Sequence, residues 1–350
     1  MANNRIYSVD WLKGVMILII VIYHSYFFEG FRGYLAVDVF FFISGYFLMF
    51  SFLRKPSTAV LYTWSRIKSI AAPYFISLIL VCLQSNCFIS ASGSHDSFID
   101  FTGKLISTIP FAEEFAASLT RTPFLLGCWF LSVLIIGAFI LYGILEYNQR
   151  LATMVLFPAI VLLGYNAILN NSECLNNFTR VGLLGVPLVR GICDMACGAL
   201  ICHVYIQYKA NIEKHTGLIN ILGIISFFIF IALMFTEEAL DKYIIVTIPW
   251  ILLAAVIEHS WMNTALCKIK GELFARLGRY TIYVYCIHGV AQTTIFWFND
   301  KILHHALDGA LLFIAYLGSV AAASVCLYYI CQFITRFINA RANQPDHSRL

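Results

Sequence analysis

The stretch Val15-Met16-Ile17-Leu18-Ile19-Ile20-Val21-Ile22 is apolar at every position. A strand of a membrane barrel alternates apolar and polar side chains, because one face meets lipid and the other the lumen. An unbroken run meets hydrocarbon on all sides, and there only a helix satisfies its own backbone. About 20 such residues cross a bilayer. Followed outward, the run reaches from roughly 11 to 28. Nine more follow at roughly 34–52, 70–90, 123–145, 151–168, 181–206, 218–236, 243–257, 277–298 and 308–332.

The 350 residues are 60% hydrophobic and 12% charged, whereas soluble domains carry roughly 25% charged residues. No water-soluble fold hides that much apolar surface. The expected fold is all-α: a polytopic bundle of about ten transmembrane helices. No linker or composition shift divides the chain, so residues 1–337 are read as one transmembrane domain and 338–350 as a short polar tail. With no room for a fused soluble catalytic domain, any chemistry must lie in or beside the bundle.

Cytoplasmic loops keep the positive charge. With the N-terminus inside, 16 of the 23 Lys and Arg residues fall in the cytoplasm, six fall outside, and Arg190 lies within a helix. Both termini are therefore expected in the cytoplasm, and the net charge of +4 reflects topology and not a nucleic-acid partner. Arg5 and Lys13 precede an apolar stretch in the manner of a signal peptide. That stretch ends in Tyr26-Phe27-Phe28-Glu29 without small residues, so it reads as an uncleaved first helix. The 11 cysteines are scattered through apolar runs, with Cys87 and Cys174 near outer loops. No Cys-x-x-Cys pair occurs, and neither a disulfide nor a metal is implied. The outer loop from about 91 to 122, with His95, Asp96, Asp100, Glu113 and Glu114, either covers a substrate site or is an ordinary solvated loop.

Ionisable side chains in hydrocarbon are costly unless paired, which marks them as candidates for function. They are His24, Asp38, Arg190, Asp194, His203 and His288. Arg190 and Asp194 stand four apart on one helix face and are expected to neutralise one another. His203 lies close to a helix end. Lys13 and His24 are eleven residues apart, which is three helical turns plus about 20°, so both project from one face of helix one at ~16 Å separation. This alignment suits a long anionic donor held at its phosphates by Lys13. It equally suits a snorkelling lysine above a hydrogen-bonded core histidine. Phe31 is the midpoint of the turn Glu29–Gly33, with His24 seven residues before it and Asp38 seven after. In an antiparallel hairpin the two share a depth, where Asp38 either orients His24 as a base or meets the orphan N–H groups at the start of helix two.

The same residues resemble the acyltransferase-3 family of membrane O-acyltransferases. Arg5-Ile6-Tyr7-Ser8-Val9-Asp10-Trp11-Leu12-Lys13-Gly14 with His24 is similar to the family's opening, in which an arginine stands eleven positions before an essential histidine. Here Lys13 replaces the arginine. Gly33 to Tyr46, with Asp38 and Ser44-Gly45-Tyr46, resembles the second-helix signature. Arg66-Ile67-Lys68-Ser69 resembles the basic cytoplasmic motif, with Ser69 where a second arginine is usual. Trp129-Phe130-Leu131 resembles the Trp-Phe-Leu element, and Leu277-Gly278 through Thr281, Tyr285 and His288 its Gly…Ser/Thr…Tyr-x-x-His helix.

The resemblance implies an acyltransferase of the bacterial plasma membrane. It would move an acyl group, most simply acetyl, from cytoplasmic acyl-CoA to a sugar hydroxyl of an envelope glycan or lipid-linked sugar. His24 would be the general base or acyl carrier and Asp38 its orienting partner. Lys13, Arg66 and Lys68 would bind the donor, and Ser44, Trp129, Tyr285 and His288 would line the cavity. Acetyl-CoA would be a substrate, and no permanently bound cofactor is implied. The rival reading is a transporter or flippase using buried His24, Asp38 and His288, but the internal repeat such proteins often carry is not evident.

Overall fold

A computed structural model of the protein describes residues 6–92, 129–171, 175, 180–181, 184–268 and 272–342. The predicted outer loop at 91–122 lies almost wholly outside them, as do Cys174 and the end of the tail. Ten long helices account for most of what is described: α1 Tyr7–His24, α2 Ala36–Arg54, α3 Ala59–Ser92, α4 Trp129–Tyr147, α5 Phe157–Asn171, α6 Val186–Gln207, α7 Thr216–Leu233, α8 Ile244–Val256, α9 Glu272–Lys301 and α10 Gly309–Ala342. Each corresponds to one of the ten apolar runs. The last continues past position 337, where the sequence suggested the tail begins.

Among the described residues, nine helical segments are long and apolar enough to cross a membrane. Helix α9 is as long as the others but carries His288, Gln292, Asn299 and Asp300 along its length. It survives because it packs along α1, with His288 and Gln292 buried, while Asn299 is buried against the connection to α10, where it donates to the Leu307 carbonyl and accepts from the Leu307 N–H. A polar stripe in a membrane helix is tolerated where it faces protein and not lipid.

The bundle is organised around two close helix pairs, α2 against α6 and α1 against α9. Small residues permit the approach. A Cβ at Gly45 of α2 would run into the Met195 carbonyl of α6, and one at Gly198 of α6 into the Phe42 carbonyl of α2. Gly278 of α9 likewise meets the Asp10 carbonyl of α1. Lipid tails are as apolar as leucine, so helices in a bilayer associate through such backbone proximity and not through hydrophobicity. The consequence for the site is direct: α1 and α2 are consecutive but each has its main contacts elsewhere.

The turn between them is fixed from outside. Arg32 is buried and donates to Asp241, to the Leu233 carbonyl and to Thr236 Oγ1 at 2.9 Å, while Tyr34 donates to Asp241. A charge that the sequence places in an outer loop is thus an internal strut to the α7–α8 connection.

Candidate active site

On the face where α1 begins and α2 ends, a cavity of about 770 Å³ opens between α1, α2, α3, α4 and α6. Lys13, Arg54, Lys55 and Arg66 line it against one carboxylate, Asp10. Lys13 Nζ sits 3.7 Å from Asp10 Oδ1 and 5.4 Å from the centre of the Phe47 ring. Arg66 lies 4.8 Å over the Tyr62 ring. Stacking on an aromatic face holds a guanidinium in place while its N–H fork stays available. Along α2 the lining extends from Arg54 to Phe40, fourteen residues or ~21 Å of helix. Its charged end is at the surface, and its inner end is formed by Phe40, Ile43, Ser44 and Leu134. Ser44 donates to the Phe40 carbonyl at 2.7 Å.

A second cluster lies along α1 and α9. The rings of His24 and His288 are 5.0 Å apart, and Tyr285 is 5.6 Å from His288. The contact of His288 Nδ1 with the Tyr285 carbonyl is 2.7 Å. A carbonyl only accepts, so Nδ1 carries the proton and Nε2 presents a lone pair. That Nε2 and His24 Nδ1 are both buried without a hydrogen-bond partner. Gln292 donates to the His24 carbonyl and fixes the end of α1 against α9. Two adjacent imidazoles with orphan ring nitrogens, in a setting where unpaired polar atoms are expensive, form a place for a polar group to enter.

Aromatic rings connect the two regions. Phe40, at the inner end of the cavity, is 6.2 Å from Phe130, and Phe130 is 5.3 Å from Tyr285. Trp129 packs on Phe41 at 6.2 Å.

Three sequence-based expectations are corrected. Asp38 does not orient His24: both of its oxygens accept from Arg190, which also donates to the Leu175 carbonyl at 2.8 Å. The equal-depth argument assumed a closely paired hairpin, whereas α1 turns to α9 and α2 to α6. Nor does Arg190 hydrogen-bond Asp194, four residues along its own helix, although its charge still acts on that carboxylate. Asp194 instead accepts from Tyr165 of α5. Lys68 does not line the cavity; it lies on the exposed side of α3, 5.8 Å over the Trp64 ring.

The structure therefore brings Lys13, Ser44 and Arg66 to one cavity and His24, Tyr285 and His288 to another cluster, with Trp129 beside Phe41. Arg54 and Lys55 were overlooked as ligands. Their signal in the sequence is the basic end of the second helix, which the charge asymmetry alone treats as topological. Phe130 was noted only as part of a motif.

A polytopic helix bundle with a cation-lined cavity at one face and a histidine pair, one half-buried and one buried, about three turns further along α1 has the layout of a membrane-embedded group-transfer enzyme. The family model described as Acyltransferase domain matches residues 6–329, so the chain belongs to the acyltransferase-3 family and is a multi-pass membrane acyltransferase. No curated protein and no solved structure matches it.

Proposed function

We propose that the protein transfers an acyl group, acetyl in the simplest case, from cytoplasmic acyl-CoA to a hydroxyl of a cell-envelope glycan or lipid-linked sugar at the bacterial plasma membrane. The observation that carries this reading is the cavity with Lys13, Arg54, Lys55 and Arg66 at its mouth, whose inner residue Phe40 is joined to the His24–His288 cluster by the ring series Phe130 and Tyr285. Four cations suit the phosphates of a coenzyme A thioester, with the pantetheine arm running along the ~21 Å of apolar lining. Beyond the aromatic rings that close the cavity's inner end, His24 takes the proton of the acceptor hydroxyl as its oxygen attacks the thioester carbonyl. The acyl–sulfur bond breaks, the thiolate leaves as coenzyme A, and the proton held by His24 passes to it. His288 Nε2 accepts from the bound sugar and orients it. Asp38 acts at one remove, by holding Arg190 and hence the α2–α6 pair.

Incubating the purified protein with radiolabelled acetyl-CoA and an envelope glycan fraction tests the reading. Transfer of label with release of coenzyme A is expected; substrate counterflow without either would identify a transporter instead.

Two further results are expected. Lys13→Glu should raise KM for acyl-CoA about 10- to 150-fold, since a charge-assisted contact contributes about 1.5–3 kcal/mol. Lys13→Arg should preserve or improve binding, because a guanidinium offers phosphate a bidentate fork. The contact is made equally in ground and transition states, so kcat should change little. An unchanged KM in Lys13→Glu would reduce Lys13 to a topology-setting charge. For orientation, reporters fused after Lys55 and Lys214 should register the cytoplasm and those after Glu237 and Asp300 the opposite side, in line with the 16-to-6 asymmetry of basic residues. An external signal from Lys214 would remove one helix from the assignment.

A further inference from the structure

Two residues past His24 the backbone adopts a conformation that a bulky side chain disfavours: Tyr26 has a φ of 55°. In this left-handed region the Cβ of an L-residue crowds the following carbonyl oxygen, so a tyrosine there is an outlier. The same connection does use glycine for such a position, at Gly30 with a φ of 69°. The turn around Tyr26 is tied down on both sides. Its N–H donates to the Tyr23 carbonyl at 3.3 Å, while Ser25 Oγ donates to the Ile22 carbonyl at 2.6 Å and accepts from the Phe27 N–H at 3.2 Å. The strain does not serve to bury the ring, because Tyr26 is 67% exposed. For the fold alone glycine would do better here. A strained residue that the fold does not need points to function.

The surroundings indicate which function. Phe27 and Phe28 follow, both exposed. Phe27 stacks on Phe313 of α10 at 4.7 Å and meets Phe28 edge-on at 4.9 Å, and Phe31 continues the series between Phe28 and Phe235. Rings locked against one another form a rigid surface at the end of α1, on the face of the bundle opposite the charged cavity. An interfacial anchor needs only an aromatic residue at the right depth, and ordinary backbone supplies that. A tyrosine forced outward beside such a surface presents the negative face of its ring. The complementary partner is a pyranose, whose C–H bonds gather on one face while its hydroxyls stay free around the edge.

We propose that Tyr26 is an acceptor-positioning residue whose ring stacks on the C–H face of one pyranose unit of the acceptor glycan and so brings an edge hydroxyl toward His24. The role of His24 rests on the acyltransferase reading above; the stacking of a sugar on Tyr26 does not.

The test uses full-length protein in a sugar-free detergent, as wild type, Tyr26→Gly and Tyr26→Phe. Saturation-transfer NMR with the methyl β-glycosides of glucose, galactose and N-acetylglucosamine reads the contact without any chemistry. Wild type and Tyr26→Phe should pass saturation to the H3 and H5 face of at least one probe, and Tyr26→Gly should lose most of it. In transfer assays with the envelope glycan fraction, Tyr26→Gly should raise the half-saturating glycan concentration about 2- to 13-fold, the factor a stacked ring pair contributes, with KM for acyl-CoA unchanged. Tyr26→Phe should stay near wild type. Because glycine relieves the backbone, the thermal midpoint of Tyr26→Gly should hold or rise, by up to about 4 °C. A lower midpoint would make the ring a fold element or a membrane anchor and overturn the proposal. So would probe signals or glycan saturation that Tyr26→Gly leaves unchanged. Probe signals that depend on Tyr26 in a protein that transfers no acyl group would support the sugar contact and overturn only the transfer chemistry.

Discussion

His24→Ala is expected to lower the rate of acyl transfer by two to four orders of magnitude while leaving membrane insertion and the elution profile of the purified protein unchanged. The size follows from removing a positioned general base, which contributes typically about 10²–10⁴-fold. The mildness toward the fold follows from position. His24 is the last residue of α1, half-buried, and its ring makes no hydrogen bond through Nδ1. What anchors that end of the helix is the bond from Gln292 to the backbone carbonyl, which alanine keeps. The donor phosphates would be held ~16 Å away along α1, so KM for acyl-CoA should hardly move. The kinetic signature is thus a fall in kcat and kcat/KM by the same factor, the mark of an interaction made in the transition state. Steady-state transfer of radiolabelled acetyl with both variants checks it. A folded His24→Ala protein with near-normal turnover would remove His24 from the chemistry.

How much of this was legible beforehand depended on the range of the interaction. All ten long helices were visible as apolar runs, and nine of them, among the described residues, carry the length and composition that a bilayer imposes on each segment independently of its neighbours. Lys13 and His24 could be placed on one face because they share a helix, and helical phase is a local property. The relations that failed were between helices. The hairpin argument gave Asp38 the wrong partner because chain adjacency was taken for spatial adjacency. Gly45, Gly198 and Gly278 instead direct α2 to α6 and α1 to α9. Arg190 was matched to Asp194 by a spacing rule drawn from solvated helix surfaces. In a buried seam the choice goes to whichever carboxylate offers bidentate geometry, and that was Asp38 from across the interface. Lys68 shares a motif with Arg66, but two residues along a helix is about 200°, enough to put one in the cavity and the other outside it.

The Arg190–Asp38 pair is the other place where a single substitution should have a large effect. Arg190 is 2% exposed and Asp38 fully buried, at the crossing of the two helices that pack most closely. Removing one member of a buried pair strands the other charge and costs about 3–5 kcal/mol, whereas replacing both with apolar residues of similar volume is often neutral or stabilising. Arg190→Met is therefore expected to destabilise the protein severely, with a drop in thermal midpoint in detergent on the order of 5–10 °C. Asp38→Leu alone should do the same, since it leaves a guanidinium bonded only to the Leu175 carbonyl. Combined, the two should recover most of the lost stability. This non-additivity separates the pair from generic packing damage, because independent sites simply add. Activity provides the second readout. If Asp38 acts only by holding α2 to α6, the double variant regains transfer along with its fold. If the double variant melts like wild type yet remains inactive, Asp38 or Arg190 has a part in the reaction beyond holding the helices together. If instead Arg190→Met melts like wild type, the pair does not hold the bundle, and Arg190 would stand as one more ionisable group free to serve the chemistry.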